Sequence, residues 1–143
     1  MPGDGCLFCA VVAGSEPAHV VLDEPDLVAF LDHRPVFKGH VLVVPRAHVV
    51  TLPELPPELL APLFGAVARC CQAVVDGLEA DGSWVAANNV VSQAVPHLHV
   101  HVVPRRRKDG LRGFFWPRLR YADDDEMAAV AARIRGAVRP RSA

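Results

Sequence analysis

Apolar positions along the chain come in short runs whose spacing changes from stretch to stretch. Cys6–Ala13 (CLFCAVVA) reads as a short helix ended by Gly14. Val20–Leu22 and Leu27–Leu31 are β-prone runs separated by DEPD, a turn sequence. Val41–Val44 is a continuous apolar run about one strand long, stopped by Pro45. Leu60, Leu63, Phe64, Val67, Cys71, Val74, Val75 and Leu78 then recur at helical spacing. Pro62 lacks an N–H and fits only a first helical turn, which puts the helix start near Pro57 or Glu58 and its stop by Asp81-Gly82. Trp84–Ala87 is a further strand, and His97–Val103 alternates polar and apolar before Pro104. The last helix opens in Asp123–Glu126, where carboxylates suit the positive end of the helix dipole. Its apolar stripe is Met127, Val130, Ala131, Ile134 and Val138, with Arg133, Arg135 and Arg139 towards the C-terminal end. About five strands with helices between or after them predict an α+β class. The link between residues 22 and 27 is too short for a parallel crossover, so at least that pair is antiparallel.

Composition narrows the picture. At 143 residues, with 51% apolar and 22% charged residues, the chain reads as a single globular domain spanning 1–143. Two halves of about 70 residues would each have a marginal core. No uninterrupted apolar run approaches the roughly 18 residues of a membrane span. The patch at Cys6–Ala13 has no Lys or Arg before it, unlike a secretory signal. Four cysteines are too sparse for a disulfide scaffold, and a reducing cytoplasm is the working assignment. The net charge of -1 conceals a basic block, in which Arg105, Arg106, Arg107, Lys108, Arg112, Arg118 and Arg120 face Asp109 alone. That block suits either a phosphate-bearing ligand or a solvated loop balancing an acidic body. It is too narrow for a nucleic-acid groove, so neither nucleic acid nor membrane is an expected partner.

Of seven histidines, three stand at 97, 99 and 101. Strand side chains alternate faces, so His97, His99 and His101 share one face and Leu98, Val100 and Val102 the other. Three imidazoles on one face are costly to bury without a use, since each nitrogen needs a partner. Two uses compete. One is a three-histidine metal site with a metal-bound water as nucleophile. The other is covalent catalysis by one imidazole, with neighbours orienting it and stabilising charge. Spacing does not choose between them.

His97-Leu98-His99-Val100-His101-Val102-Val103 resembles the motif of the histidine triad (HIT) family, His-φ-His-φ-His-φ-φ with φ apolar. AFLDHRPVFKGHVLVVPRAH (29–48) is similar to that family's upstream segment, and Cys6-Leu7-Phe8-Cys9 resembles the start of its zinc-containing bacterial branch. The resemblance spans roughly 6–107, leaving a basic and aromatic loop and a helix at 108–143 beyond it. It implies a five-stranded antiparallel sheet with helices, paired into a homodimer. It also implies a nucleotide hydrolase or transferase acting at the α-phosphate of a purine nucleotide. In that reading His99 attacks phosphorus and forms a nucleotidyl-histidine, and His101 contacts the phosphate or leaving group. His40 supports the cluster, and Gln93 reaches the phosphate or leaving side. Asp32 takes the ribose hydroxyls, Phe30 walls the base pocket, and Asn88 is a polar position near ribose or phosphate. The family pattern has Gly before the Gln and Ser or Thr after it. Here these are Ser92 and Ala94, in a loop about two residues shorter, so Ser92 or a backbone N–H would replace the missing hydroxyl. Phosphoramidates and dinucleoside polyphosphates are both candidate substrates. A metallohydrolase and a non-catalytic nucleotide-binding protein stand as alternatives.

Cys6 and Cys9 form a C-x-x-C pair, compatible with a disulfide, a redox pair, buried thiols or a metal site. The resemblance adds His48 and His97, and Cys₂His₂ is a closed tetrahedral set suited to structural zinc. Cys70 and Cys71, adjacent in mid-helix, read as small core residues. His33, beside Asp32, is a candidate lining residue of the nucleotide pocket, and His19 has no assigned role. GFFWPRLRY (113–121) could close over a nucleotide or a partner subunit, or pack plainly.

Overall fold

The computed structural model describes residues 3–112 and 118–140. The chain divides into two compact units, Met1–Asp109 and Gly110–Ala143. In the first, β1 (Val20–Asp23), β2 (Leu27–Leu31), β3 (Val41–Pro45), β4 (Gly82–Ala86) and β5 (Val100–Arg105) form one sheet. The strand order is β1-β2-β3-β5-β4, and every neighbouring pair is antiparallel. Helix α1 (Leu7–Val12) precedes the sheet. Helix α2 (Leu60–Leu78) joins β3 to β4 after two short 3₁₀ turns, Leu52–Glu54 and Pro57–Leu59. This is the predicted α+β sheet, with strand limits within a few residues of expectation.

The central strands read as unbroken apolar runs because both faces of the sheet are covered. Leu27, Ala29, Val41, Val43, Leu98, Val100 and Val102 pack on one side with Leu63, Ala66, Val67, Cys70 and Val74 of α2. Val28, Phe30, Leu42 and Val44 pack on the other with Phe8 of α1. The buried stripe of α2 is rotated from the predicted one. Ala66 and Cys70 face the sheet, whereas Leu60, Phe64 and Leu78 are 44%, 38% and 41% exposed. Small side chains at the contact let the helix approach closely, and the larger ones are left on its flanks. Pro57–Leu78 is also long and apolar enough to cross a bilayer by length and composition, and one of its faces packs against the sheet.

β5 starts later than the alternation predicts. β3 pairs with β5 only from Val43↔Val100 to Val41↔Val102, so residues 97–99 lie outside that ladder. Leu98 instead donates its N–H to Val49 O at 2.7 Å. Two prolines expected to stop strands lie within their last residues, Pro45 in β3 and Pro104 in β5. By residue 104 only β4 flanks β5, so one missing N–H is tolerated there.

Much of the basic block is tied into the fold. Arg105 pairs with Asp109 through two hydrogen bonds, of 2.6 and 3.1 Å. Arg106 donates to Leu78 O at 2.7 Å, capping an orphan carbonyl at the end of α2. Local structure therefore explains these two cations without a phosphate.

In the second unit, α3 (Asp124–Ala137) is capped by Asp123, whose carboxylate accepts the Glu126 N–H at 2.8 Å. The predicted stripe does not form a core there. None of the helix's residues is buried, and Met127 and Ile134 are 52% and 62% exposed. Residues 113–117 of the aromatic segment lie outside the described residues, and Leu119 and Tyr121 are exposed.

Gly39 has φ +98°, and a Cβ there would collide with Leu78 Cδ1. Gly39→Ala is expected to destabilise the fold by about 1–2 kcal/mol, chiefly from backbone strain at positive φ, since the exposed Leu78 side chain can move aside. Urea unfolding checks this, with an unchanged midpoint as the contrary result.

Candidate active site

The face of the sheet covered by α1 carries the candidate site. A cavity of about 730 Å³ lies there, within the usual range for small-molecule sites. Leu7, Phe8 and Val11 come from α1, Phe30 from β2 and Asp32 from just after it, His99 from just before β5 and His101 from its start. The predicted residues Phe30, Asp32, His99 and His101 thus meet in one cavity. His19, His33 and Arg34 also line it. The wall from α1 was legible only as an apolar helix, with nothing in its spacing to show what it covers.

Hydrogen bonds fix the imidazole tautomers. A backbone carbonyl can only accept, so His99 Nδ1 must carry a proton to bond His97 O at 2.7 Å. Nε2 is then the lone-pair nitrogen of His99. A backbone N–H can only donate, so His40 Nδ1 accepts from Val36 N at 3.1 Å. His40 Nε2–H therefore donates to His101 Nδ1, at 2.9 Å, and His101 keeps its proton on Nε2. The rings of His99 and His101 meet edge-on with centroids 5.0 Å apart. A lone pair and an N–H donor are thereby paired at one cavity.

Burial favours the neutral forms of His40 and His101. It pushes the His101 pKa down to about 4, helped by His99 and His40 and opposed by Asp32. Burial likewise lowers His40, and the Asp32 carboxylate, 3.8 Å from Nδ1, partly offsets it. Asp32 accepts the Arg34 N–H at 2.9 Å, forming the turn after β2.

Gln93, Asn88 and Ser92 are placed differently. They sit on the loop between β4 and β5 and are not among the residues lining the cavity. Gln93 donates to Val50 O at 2.6 Å and accepts the Val90 N–H at 3.0 Å. Asn88 donates to Ser92 O at 3.1 Å. Asn89, which sequence reasoning missed, accepts the Leu52 N–H at 2.8 Å. Val90 and Ser92 hold φ of 72° and 62°, a left-handed geometry that a β-branched side chain disfavours.

Beside the cavity, the ligand-type atoms of Cys6, Cys9, His48 and His97 all lie within 4.8 Å of one another. Zinc bonds of about 2.3 Å to sulfur and 2.0 Å to nitrogen, at tetrahedral angles, imply edges of about 3.5 Å for S···N and 3.3 Å for N···N. Cys6 Sγ and Cys9 Sγ stand 3.5 Å from His97 Nδ1, Cys9 Sγ stands 3.2 Å from His48 Nδ1, and the two Nδ1 atoms are 3.3 Å apart. His97 Nε2–H donates to Pro45 O at 2.8 Å, which leaves Nδ1 as the ligand nitrogen. The donor set and its dimensions are compatible with zinc. Without a cation, burial and the neighbouring Cys6 push the Cys9 thiol up to about 11, a trend a bound divalent ion reverses. The same bonds dispose of the three-histidine metal site. Among the described residues no metal-type cluster contains His97, His99 and His101 together.

Helix α1 is tied to both features. Cys6 is its N-cap, accepting the Cys9 N–H at 3.4 Å, and Phe8 is its buried residue. The Phe8 ring lies edge-on to Phe30, His97 and His99, at centroid distances of 5.4, 6.0 and 5.0 Å. Val11 and Val12 of the helix pack, partly buried, against the same cluster as Phe8.

The HIT domain family matches residues 13–108. The chain belongs to the HIT family. Protein hit of Bacillus subtilis is 36% identical over 123 residues, covering 85% of this chain and 83% of that protein. An adenosine 5'-monophosphoramidase of Schizosaccharomyces pombe is 31% identical over 112 residues, covering 78% and 83%. A crystal structure of a HIT family member from Bacillus subtilis has a TM-score of 0.84 at 33% identity, covering 95% of this chain and 99% of that one. A Zn-bound histidine triad family protein from Mycobacterium smegmatis has a TM-score of 0.73 at 36% identity, with coverage of 95% and 99%. The HIT motif in this chain is the segment that carries His99 and His101 into the cavity.

The lowered pKa values set the pH response of stability. Below about pH 6.5 the unfolded chain takes up protons that folded His101, and in the same direction His40, refuse. Stability is therefore full above pH 6.5 and falls towards pH 4. His101 should contribute about 1–3 kcal/mol of that loss. Urea unfolding at pH 7.5 and 4.5 tests this against His101→Asn, in which the acid loss should shrink; protonation of the metal-type ligands cancels in the difference. Equal losses in both proteins would contradict the assignment.

Proposed function

We propose that the protein is a nucleotide hydrolase or transferase acting at an α-phosphate through a nucleotidyl-histidine on His99, with a purine nucleoside phosphoramidate as the substrate class. The observation that carries this is the pairing of the His99 Nε2 lone pair with the His101 N–H donor at one cavity. Nε2 of His99 attacks phosphorus, and the bond to the leaving nitrogen breaks. His101 Nε2–H hydrogen-bonds the phosphoryl oxygen or the leaving nitrogen, and a proton from solvent completes the amine as the P–N bond breaks. Water, or another acceptor, then cleaves the P–N bond to His99, whose ring returns to its neutral form as a proton is released to solvent. The carbonyl of His97 holds the opposite nitrogen of the nucleophile and steadies the imidazolium-like ring as charge develops.

Phe30, Phe8, Leu7 and Val11 form the apolar wall for the base, and Asp32 is placed to accept the ribose hydroxyls. The adenosine 5'-monophosphoramidase among the relatives supports the phosphoramidate class. Gln93, Asn88 and Ser92 act in this reading through the shape of their loop, with direct contact only if the loop rearranges around substrate. Cys6, Cys9, His48 and His97 hold a structural zinc, as in a zinc-containing branch of the family, with the Zn-bound neighbour in support. Four protein ligands leave no open position, so the ion ties segments together and takes no part in bond breaking. A cytoplasmic homodimer without nucleic acid or membrane partners completes the proposal.

Incubation with adenosine 5'-phosphoramidate, rapid quenching and intact-mass analysis test the mechanism. The expected result is an adenylyl adduct that is absent in His99→Ala, with turnover falling at least about 10³-fold. Chelator-sensitive turnover without adduct would favour metal-dependent hydrolysis, and AMP binding without turnover a non-catalytic role.

Metal analysis tests the second site. About one zinc per chain is expected in the parent and far less in Cys6→Ser; equal content in both would defeat the assignment.

A further inference from the structure

We propose that the Cys6–Cys9 pair is a redox-sensitive latch on the nucleotide cavity, with helix α1 and Phe8 as the moving part. The inference rests on the nucleotide reading above and adds a regulation of that site. Three observations carry it. First, α1 belongs to both structures at once. Its two cysteines supply half of the Cys₂His₂ cluster, while Leu7, Phe8 and Val11 form one wall of the cavity. Second, the helix is short. It is six residues long, with Phe8 buried and Val11 and Val12 partly buried against the same core. Isolated helices of that length do not form in water. Third, the sulfurs are reachable. Cys6 and Cys9 are both part-exposed and line an open cleft with Gly3, Asp4, Gly5 and Ser15, whereas His97 is fully buried.

The chemistry balances with a peroxide as oxidant. Two zinc-bound thiolates lose two electrons and join as a disulfide. Hydrogen peroxide takes those electrons with two protons and becomes two waters, and Zn²⁺ leaves as the aqua ion, its oxidation state unchanged. Cys6 at the N-cap and Cys9 on the first turn are neighbours, with sulfurs within 4.8 Å, so the bridge closes within one turn of chain. A disulfide cannot serve as the thiolate pair, and two histidines alone hold zinc weakly. Metal loss cuts the tie between α1 and the segments carrying His48 and His97. Phe8 then withdraws from Phe30 and His99, and the base loses a wall. The bond from His99 Nδ1–H to His97 O is local, between residues two apart in the chain, and survives. The switch therefore acts on nucleotide affinity before it acts on the nucleophile.

The test uses the intact reduced, zinc-loaded protein and hydrogen peroxide, with four readouts. They are zinc released to a chromogenic chelator, a 2 Da loss mapped to the peptide holding Cys6 and Cys9, amide hydrogen exchange over residues 6–13, and the Kd for AMP by calorimetry. Expected are about one zinc released per disulfide formed, exchange over 6–13 at least tenfold faster, and AMP binding at least tenfold weaker. Dithiothreitol with added zinc should restore all three. Zinc removal by chelator under reducing conditions should reproduce the exchange and affinity changes without the disulfide. Zinc loss with unchanged exchange over 6–13, or with AMP affinity altered less than twofold, would overturn the latch. Should the loaded protein fail to bind AMP, the nucleotide reading falls, and the exchange result alone still decides whether the cluster holds α1.

Discussion

Every polar atom of His97 is committed, and each commitment fixes a different part of the molecule. Its N–H donates to Val95 O, Nε2–H donates to Pro45 O, Nδ1 faces two sulfurs and His48, and its carbonyl accepts from His99. A fully buried imidazole is tolerable only on such terms, since an unpaired nitrogen there would cost the desolvation of a polar group. One residue therefore links the end of β3, the N-terminal helix and His99. Burial also lowers its pKa, with the Pro45 carbonyl in partial opposition, so the ring stays neutral and keeps a lone pair for a metal.

The same logic runs through the other histidines. Their tautomers are dictated by backbone groups, which have no choice of role: a carbonyl for His97 and His99, an N–H for His40. The direction of the His40–His101 bond follows from the Val36 amide, two links away. A network oriented by main-chain groups reorganises little during reaction, the condition under which fixed dipoles stabilise developing charge. Asp32 complements it by bringing a negative charge beside His40 without forming a short ion pair.

Period-two alternation made the site face legible before any coordinates. His97, His99 and His101 do turn one way, and Leu98, Val100 and Val102 enter the opposite core. The unbroken runs of β2 and β3 signalled a sheet covered on both sides, and the structure fills those sides with α2 and α1. What the pattern could not supply was packing distance. Counting large apolar residues selected Phe64 and Leu78 for the core of α2, whereas a close helix–sheet contact needs Ala66 and Cys70. Nor could spacing foresee that Arg105 and Arg106 would be spent on Asp109 and a helix end. The Cys₂His₂ set is the opposite case. Its members are up to 91 residues apart in sequence and meet at tetrahedral-edge distances, so residue type and order carried information that periodicity did not.

The loop between β4 and β5 must deliver His97 to its bond with Pro45 O at the end of β3. Val90 and Ser92 accept left-handed backbone, and Gln93, Asn88 and Asn89 turn their amides to the main chain. A β-branched residue at positive φ costs on the order of 1–3 kcal/mol and persists only where surrounding bonds over-determine it. Four side-chain-to-backbone bonds, two from Gln93 and one from each asparagine, supply that constraint. Val90 and Val91 are left 74% and 78% exposed at the tip. The strain thus lies on the connection that feeds His97, while His101 rests in regular extended backbone paired with both β3 and β4.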